Sequence, residues 1–345
     1  MTRVNTLRGP VDSSRLGRVL VHEHLWTMHT EFTQNYRGDF VEHEQIEDAV
    51  RRMNELKAKG IDTIIDLTVL GLGRNIPRML KVAERTDLNI IVATGCYTFD
   101  VVPMPLRKHD VPGLRDLPEQ MVDLFVGDLT QGILHTDVKA NELKCAIDEP
   151  GLTRDVERVL RAIGAAHRQT GIPITVHTAS RTQSGLVAQR VLAEEGVDLR
   201  DVIVGHCGDT TDLDYLIRVA DQGSMLGMDR FGAEILLSTE DRVATIMKLI
   251  AKGYLDKITI SHDCFCWTDM IPHADPPIWE GSYTFISNVV IPALRRAGLT
   301  EAQLDTILVD NPRRHFEGAA ARFAQRQEKG RPVRQQASGG TSIAL

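Results

Sequence analysis

The chain of 345 residues contains no run of 18 or more apolar residues, so no segment reads as a membrane-spanning helix and no membrane partner is expected. Its first residues, MTRVNTLRGPVDSS, lack the continuous apolar stretch of a secretory signal, which leads to the expectation of a cytoplasmic protein. No basic run of the kind that follows a phosphate backbone occurs, and the Arg/Lys clusters fall on apparent helix faces, so nucleic acid is not an expected partner. The net charge of -7 argues only for solubility. Cysteine is scarce: Cys96, Cys145, Cys207, Cys264 and Cys266 are an odd number spread along the chain, which suits reduced thiols better than a disulfide framework. Cys264-x-Cys266 resembles half of a metal site, but no second cysteine pair exists to complete a tetrathiolate.

What is present is a globular composition, 42% hydrophobic and 25% charged, enough for a sizeable core. Short β-branched runs alternate with segments of helical period. Strands are expected near residues 18–22, 63–67, 90–94, 143–147, 174–177, 202–206, 224–228 and 258–262. Between them lie amphipathic stretches such as Ile46, Ala49, Val50, Met53 and Leu56, or Val156, Val159, Leu160 and Ile163, whose spacing turns one apolar stripe toward a sheet. Thr153 is placed to cap a helix, and Gly60, Gly171, Gly196, Gly223 and Gly253 each stand where a helix must stop before a strand. Eight such units favour an α/β protein of the (β/α)8 TIM-barrel type over an open doubly wound sheet. One domain over residues 1–324 is expected, with a polar, disordered tail over 325–345. Segments 97–117, 229–239 and 264–282 break the pattern and are expected to decorate the face where the strands end.

The chemistry-bearing residues stand at those strand ends. In His22-Glu23-His24 the period of two turns both imidazoles to one face, making a bidentate grip for a divalent cation. His177 closes the fifth strand, His206 the sixth, and Asp263 follows the eighth; barrel strands present their ends at one mouth, so these residues converge. By alternation His262 faces away beside Asp263, and it is set aside with His29, His43, His109, His135, His167, His273 and His315. Lys144 lies inside the fourth strand, where a lone ammonium is costly. It reads either as a snorkelling or ion-paired lysine or as one whose amine has taken up carbon dioxide to form a carbamate.

The motifs VHEHL, LKCAIDEPG, VHT, VGHCGDTTDLDYL, GMDRFG and SHDCFC, in this order between Thr6 and Phe316, resemble the phosphotriesterase family of the amidohydrolase superfamily, most closely its phosphotriesterase-like lactonase branch. The resemblance implies a binuclear metal centre at the strand C-terminal face. His22, His24 and Asp263 would hold the more buried ion, His177 and His206 the more exposed one, and a carboxylated Lys144 would bridge them with a hydroxide. It also implies a role for Tyr97 in GCYTF and Arg230 in MDRFG, matching a tyrosine and an arginine of the lactonase branch, and a homodimer.

On that basis the expected activity is metal-dependent opening of lactone rings, N-acyl homoserine lactones or other aliphatic lactones, by the shared hydroxide, with Asp263 handling the proton and organophosphate triester hydrolysis as a side activity. Two divalent ions are the expected cofactors, zinc first, with cobalt, manganese or iron as alternatives. Phe265, Trp267, Met270, Ile271 and Trp279, with Leu236 and Leu237, are the candidate substrate channel; ordinary packing of loop on barrel is the other reading. Two further readings stay in view: a binuclear hydrolase of another ester, an amide or a phosphoester, and a metal-bearing sensor without turnover. The segment Gly71-Leu72-Gly73-Arg74-Asn75-Ile76 fails as a dinucleotide motif at its third glycine and has Pro77 beside it.

Overall fold

The computed structural model describes residues 2–108, 111, 113–114, 117–270 and 283–330. Its strands are β1 (Arg3–Thr6), β2 (Gly9–Asp12), β3 (Val19–Glu23), β4 (Trp26–Thr27), β5 (Thr63–Asp66), β6 (Asn89–Gly95), β7 (Glu142–Ile147), β8 (Ile174–Thr178), β9 (Val202–Val204), β10 (Met225–Met228), β11 (Ile258–Ile260) and β12 (Trp267–Thr268). Strands β3, β5, β6, β7, β8, β9, β10 and β11 follow one another around one parallel sheet, each beside its neighbour in sequence. These are the eight strands expected from the sequence, and they form a (β/α)8 barrel. Helices α1 (Thr30–Tyr36), α2 (Glu42–Ala58), α3 (Ile76–Ala83), α4 (Gln120–Thr130), α5 (Arg154–Thr170), α6 (Ser184–Glu194), α7 (Leu213–Asp221), α8 (Thr239–Ala251), α9 (Ile291–Arg296), α10 (Glu301–Asp305) and α11 (Asn311–Gly330) surround it.

The local signals act as their chemistry requires. The Thr153 hydroxyl accepts the Val156 N–H at the start of α5. All five stop glycines adopt positive φ, from +72° at Gly171 to +116° at Gly223, where a Cβ would be strained. Helix α11 departs from expectation: it runs to Gly330, so residues 325–330 are helical rather than part of a disordered tail, because the helix docked at Phe316 and Ala319 carries its hydrogen-bond ladder outward. Residues 331–345 lie outside the described residues. No helix among the described residues is long and apolar enough to cross a membrane.

Alternation sorts the core into two bodies. Val19, Val21, Ile65, Ile91, Ala93, Ile203 and Phe316 pack inside the barrel, while Leu20, Ile64, Ile90, Val92, Val202 and Val204 pack outward beneath the helices. Strict alternation from Val19 and Val21 would then place Glu23 inside and His22 outside. The register of β3 on β5 shifts between Leu20 and Glu23, and this irregularity reverses the phase: His22 and His24 enter the barrel and Glu23 leaves it.

That reversal also closes the barrel. Strands β3 and β11 share no ladder; the seam is stitched by Glu23, fully buried, whose oxygens accept the His262 N–H at 2.9 Å, His262 Nδ1 at 2.8 Å and the Cys264 N–H at 3.0 Å. The His22 N–H donates to Ser261 Oγ and the Asp263 N–H to His22 O, both at 2.9 Å. Glu23→Leu strips three buried donors of their acceptor. It is expected to cost about 3–5 kcal/mol, read as a lower denaturant midpoint, whereas an unchanged midpoint would deny Glu23 this role.

Candidate metal centre and active site

Six side chains meet at the mouth. His22 and His24 come from the end of β3, Lys144 from β7, His177 from β8, and His206 and Asp263 from just beyond β9 and β11. His206, Arg230 and Asp263 all adopt left-handed φ, +61°, +62° and +55°, a conformation that non-glycine residues hold at a cost and that turns each side chain over the rim. His22 Nε2 and His24 Nε2 lie 3.3 and 3.1 Å from Asp263 Oδ1. His206 Nε2 lies 2.7 Å from His177 Nδ1 and 3.9 Å from Asp263 Oδ2, so the Asp263 carboxylate spans both histidine pairs. Lys144 Nζ stands 3.2 Å from His22 Nε2. The donor atoms of His22, His24 and Asp263 lie close enough together to hold one metal ion.

The outer nitrogens decide what the inner ones offer. Asp229 Oδ2 sits 2.8 Å from His22 Nδ1, and Asp229 Oδ1 sits 2.8 Å from His206 Nδ1 and accepts the His206 N–H at 2.9 Å. Burial would raise the Asp229 pKa, but His206 and His22 beside it hold the carboxyl well below its usual range. An ionised carboxylate only accepts, so both Nδ1 atoms carry protons and both Nε2 atoms face inward as lone pairs. Asp148 does the same for His177 from the other edge, receiving Nε2–H and leaving Nδ1 bare. The Asp148 carboxyl falls to about 2 chiefly through that hydrogen bond. The Thr68 hydroxyl, directed at Trp26 O, accepts His24 Nδ1–H at 2.9 Å. With their protons committed outward, His177 Nδ1 and His206 Nε2 present facing lone pairs 2.7 Å apart, an arrangement that calls for a cation.

Electrostatics agree. Burial lowers His22 to about 3, with the Lys144 charge adding to it, so the imidazole stays neutral as a ligand must. His177 is lowered by burial and by His206. Asp263 would be raised by burial, yet His22, His24, His206 and Arg230 hold it ionised, well below the carboxylate range. Lys144, 1% exposed, drops to about 8 by burial against the pull of Asp263 and Asp229. Its amine makes no ion pair among the described residues.

Tyr97 and Arg230 reach the same cleft of about 540 Å³, which His22, His24, Thr27, Leu72, Lys144, His177, Asp263, Phe265, Thr268 and Met270 also line. Tyr97 packs edge-on against His177 with ring centroids 5.2 Å apart, and burial followed by Asp263 raises its phenol, keeping the O–H a donor. Arg230 Nε donates to Asp263 Oδ2 at 3.1 Å, and its Nη1 donates to Asp209 Oδ2 at 2.9 Å. Asp209 Oδ1 in turn accepts from Arg242 Nη2 at 2.8 Å.

Of the expected channel, Phe265 and Met270 line the cleft. Trp267 does not: its ring is buried against Phe40, centroids 4.9 Å apart, with the Arg37 guanidinium 5.2 Å over it, because its rung with Trp26 turns it away from the mouth. Leu236 and Leu237 are not among the lining residues, and Ile271 and Trp279 lie outside the described residues. Sequence reasoning missed Asp229, Asp148, Thr68, Asp209, Arg242 and Phe99, whose ring lies 5.1 Å from that of His177. The carboxylates right after β7 and β10, in AIDEPG and GMDRFG, carried a signal in their place beside strand ends.

Fold and site together define a barrel hydrolase with histidine and aspartate groups able to hold metal. The chain belongs to the phosphotriesterase family: residues 2–316 match the Phosphotriesterase family model. It is 50% identical over 324 residues to a phosphotriesterase homology protein of Mycobacterium tuberculosis, covering 92% of this chain and 98% of that one. It is 38% identical over 312 residues to an aryldialkylphosphatase of Saccharolobus solfataricus, covering 89% and 96%. The solved structure of the phosphotriesterase from Mycobacterium tuberculosis superposes with a TM-score of 0.87 at 50% identity, covering 91% of this chain and 98% of that one.

Asp229→Asn leaves one acceptor oxygen and an NH2 where two imidazole N–H groups now bind. Metal affinity is expected to fall about 10- to 100-fold, measured by competition with a coloured chelator, while the far-ultraviolet circular dichroism stays that of the parent. Parent-like affinity would remove Asp229 as the residue that fixes the two tautomers.

Proposed function

We propose that this hydrolase opens lactone rings at a centre of two divalent cations, zinc first among the candidates. His22, His24 and Asp263 would hold one ion, His177 and His206 the other, and Lys144, as a carbamate, would lie between them. The observation that carries the reading is the approach of His177 Nδ1 and His206 Nε2 to 2.7 Å beside the His22, His24 and Asp263 cluster, with the outer nitrogens of these histidines bound by Asp148 and Asp229. When bound, such ions acidify water and draw electron density from a scissile carbonyl or phosphoryl oxygen.

The chain's own residues supply the rest. Asp263 is an ionised acceptor within reach of both histidine pairs, placed to take a proton from the attacking water and pass it to the leaving alkoxide. In a lactone that alkoxide stays tethered, and protonating it stops the ring from reclosing. Tyr97 O–H can donate to the substrate carbonyl, and Arg230 orients Asp263 through Nε. Lys144 as an unpaired buried ammonium would be costly, whereas a carbamate there inverts the charge and suits neighbouring cations. The 38% identity to an aryldialkylphosphatase supports phosphotriester hydrolysis as a second activity of the same centre.

Chelation followed by gel filtration is expected to abolish turnover, and added zinc, cobalt or manganese to restore it. A panel of aliphatic lactones, simple esters, amides and phosphotriesters assayed on one preparation tests the substrate class; turnover of phosphotriesters or amides without any lactone would overturn it. Lys144→Ala is expected to lose more activity than the about 10- to 100-fold typical of an outer partner, with partial recovery in acetate, whose carboxylate can occupy the vacated space. Protein equilibrated with 13C-bicarbonate should show a carbamate resonance that the Lys144→Ala variant lacks.

A further inference from the structure

His24 stands beyond the strand ladder, and side chains hold the peptide that follows it. The pairing of β3 with β5 ends where Glu23 meets Asp66, so the peptide joining His24 to Leu25 finds no rung on β5. Its N–H donates instead to Asp66 Oδ2 at 2.7 Å, and its C=O accepts the Tyr283 O–H. Both side chains are fully buried. Cys264 O lies 3.4 Å from the Tyr283 hydroxyl, and Cys266 Sγ donates to that hydroxyl at 3.6 Å. The other two backbone groups of the pair follow the barrel seam, His24 N–H to Cys264 O and Cys266 N–H to Leu25 O, both at 2.9 Å.

The second oxygen of Asp66 reaches the same histidine by another route. Asp66 Oδ1 accepts the Thr68 N–H at 2.9 Å, and Thr68 Oγ1 is the acceptor for His24 Nδ1, also at 2.9 Å. One carboxylate therefore holds the peptide after His24 and seats the residue that fixes its tautomer. Because the peptide is planar, its orientation sets ψ of His24, and with it where the imidazole stands relative to Asp263 Oδ1, 3.1 Å from Nε2. A buried carboxylate is costly, and Asp66 makes no ion pair among the described residues, so ordinary packing gives no reason for an acid at this place. Two acceptor oxygens do give one: an asparagine could accept from only one of the two N–H groups.

We propose that Asp66 and Tyr283 are positioning residues for the ligand His24, gripping the His24–Leu25 peptide by its N–H and its C=O so that Nε2 is aimed beside His22 and Asp263. This rests on the metal centre of the reading above and not on the bond that the centre cleaves.

The test titrates metal-free protein with cobalt(II) alone, following its visible absorption and competing it with a chelator to obtain two successive affinities. His177→Ala, which should weaken the other ion, identifies which step is which. Tyr283→Phe keeps the ring and loses only the hydroxyl; it is expected to weaken the ion at His24 by about tenfold and Asp66→Asn by about 10- to 100-fold, each with an altered cobalt spectrum and a parental affinity for the second ion. Since both grip one peptide, the double variant should lose less than the product of the two. A merely structural role lowers the denaturant midpoint while leaving both affinities and the spectrum parental, or weakens both ions alike, and either result overturns the proposal. Should Asp66→Asn not fold, Tyr283→Phe decides alone. Failure of every lactone to turn over, with the His24 ion selectively weakened, sinks the reaction and upholds the grip; lactone turnover with parental affinities in the variants does the reverse, and a parent that binds no cobalt overturns both.

Discussion

The centre depends on a carboxylate that would touch no substrate. Asp229, on the strand-end turn that follows β10, binds the Nδ1 atoms of two histidines from two other strands. An imidazole has two chemically distinct nitrogens, and only a fixed tautomer presents a lone pair where a cation is wanted. Asp229 fixes two of the four, Asp148 a third and Thr68 the fourth. The concentration of bare nitrogens at the mouth is thus imposed from outside, and it makes a set of buried polar side chains that would be destabilising alone fit to hold a cation.

The barrel supplies the convergence, and the sequence made that much legible. Strand ends are marked by where apolar alternation gives way to polar residues, so His22, Lys144, His177, His206 and Asp263 could be placed on separate strands and brought to one rim by topology alone. His262 was correctly assigned away from the cleft for the same reason: its Nδ1 lies against Glu23 and its Nε2 accepts the Ile286 N–H. What alternation could not show is how the side chains turn at the rim. The phase reversal between Leu20 and Glu23 and the left-handed turns at His206, Arg230 and Asp263 are local departures from strand geometry. No residue type announces them, because histidine, arginine and aspartate adopt such backbone only when surrounding contacts impose it.

The misplacement of Trp267 has a related cause. A tryptophan in a long loop beside a binding mouth is an obvious candidate for a channel wall. Here a two-rung ladder decides instead, since pairing Trp267 with Trp26 sends the indole to Phe40 and Arg37 and leaves Thr268 facing the cleft. Two residues are too short a strand to show a period, so neither β4 nor β12 was visible in the sequence. The polar residue of the pair took the site and the aromatic one took the core.

Charge order extends beyond the ligands. Asp263, Arg230, Asp209 and Arg242 alternate in sign along one chain of contacts, from the cleft to the fully buried Arg242 guanidinium, which also donates to the Leu237 carbonyl. Leu237 belongs to the turn after β10 that carries the exposed Ile235 and Leu236. One buried guanidinium therefore ties the backbone of that turn, through Asp209 and Arg230, to the Asp263 side chain. Opposite charges in a low-dielectric interior hold such a chain rigid, since moving any member strands its neighbours without a partner. This fixes the orientation of Asp263 at the rim.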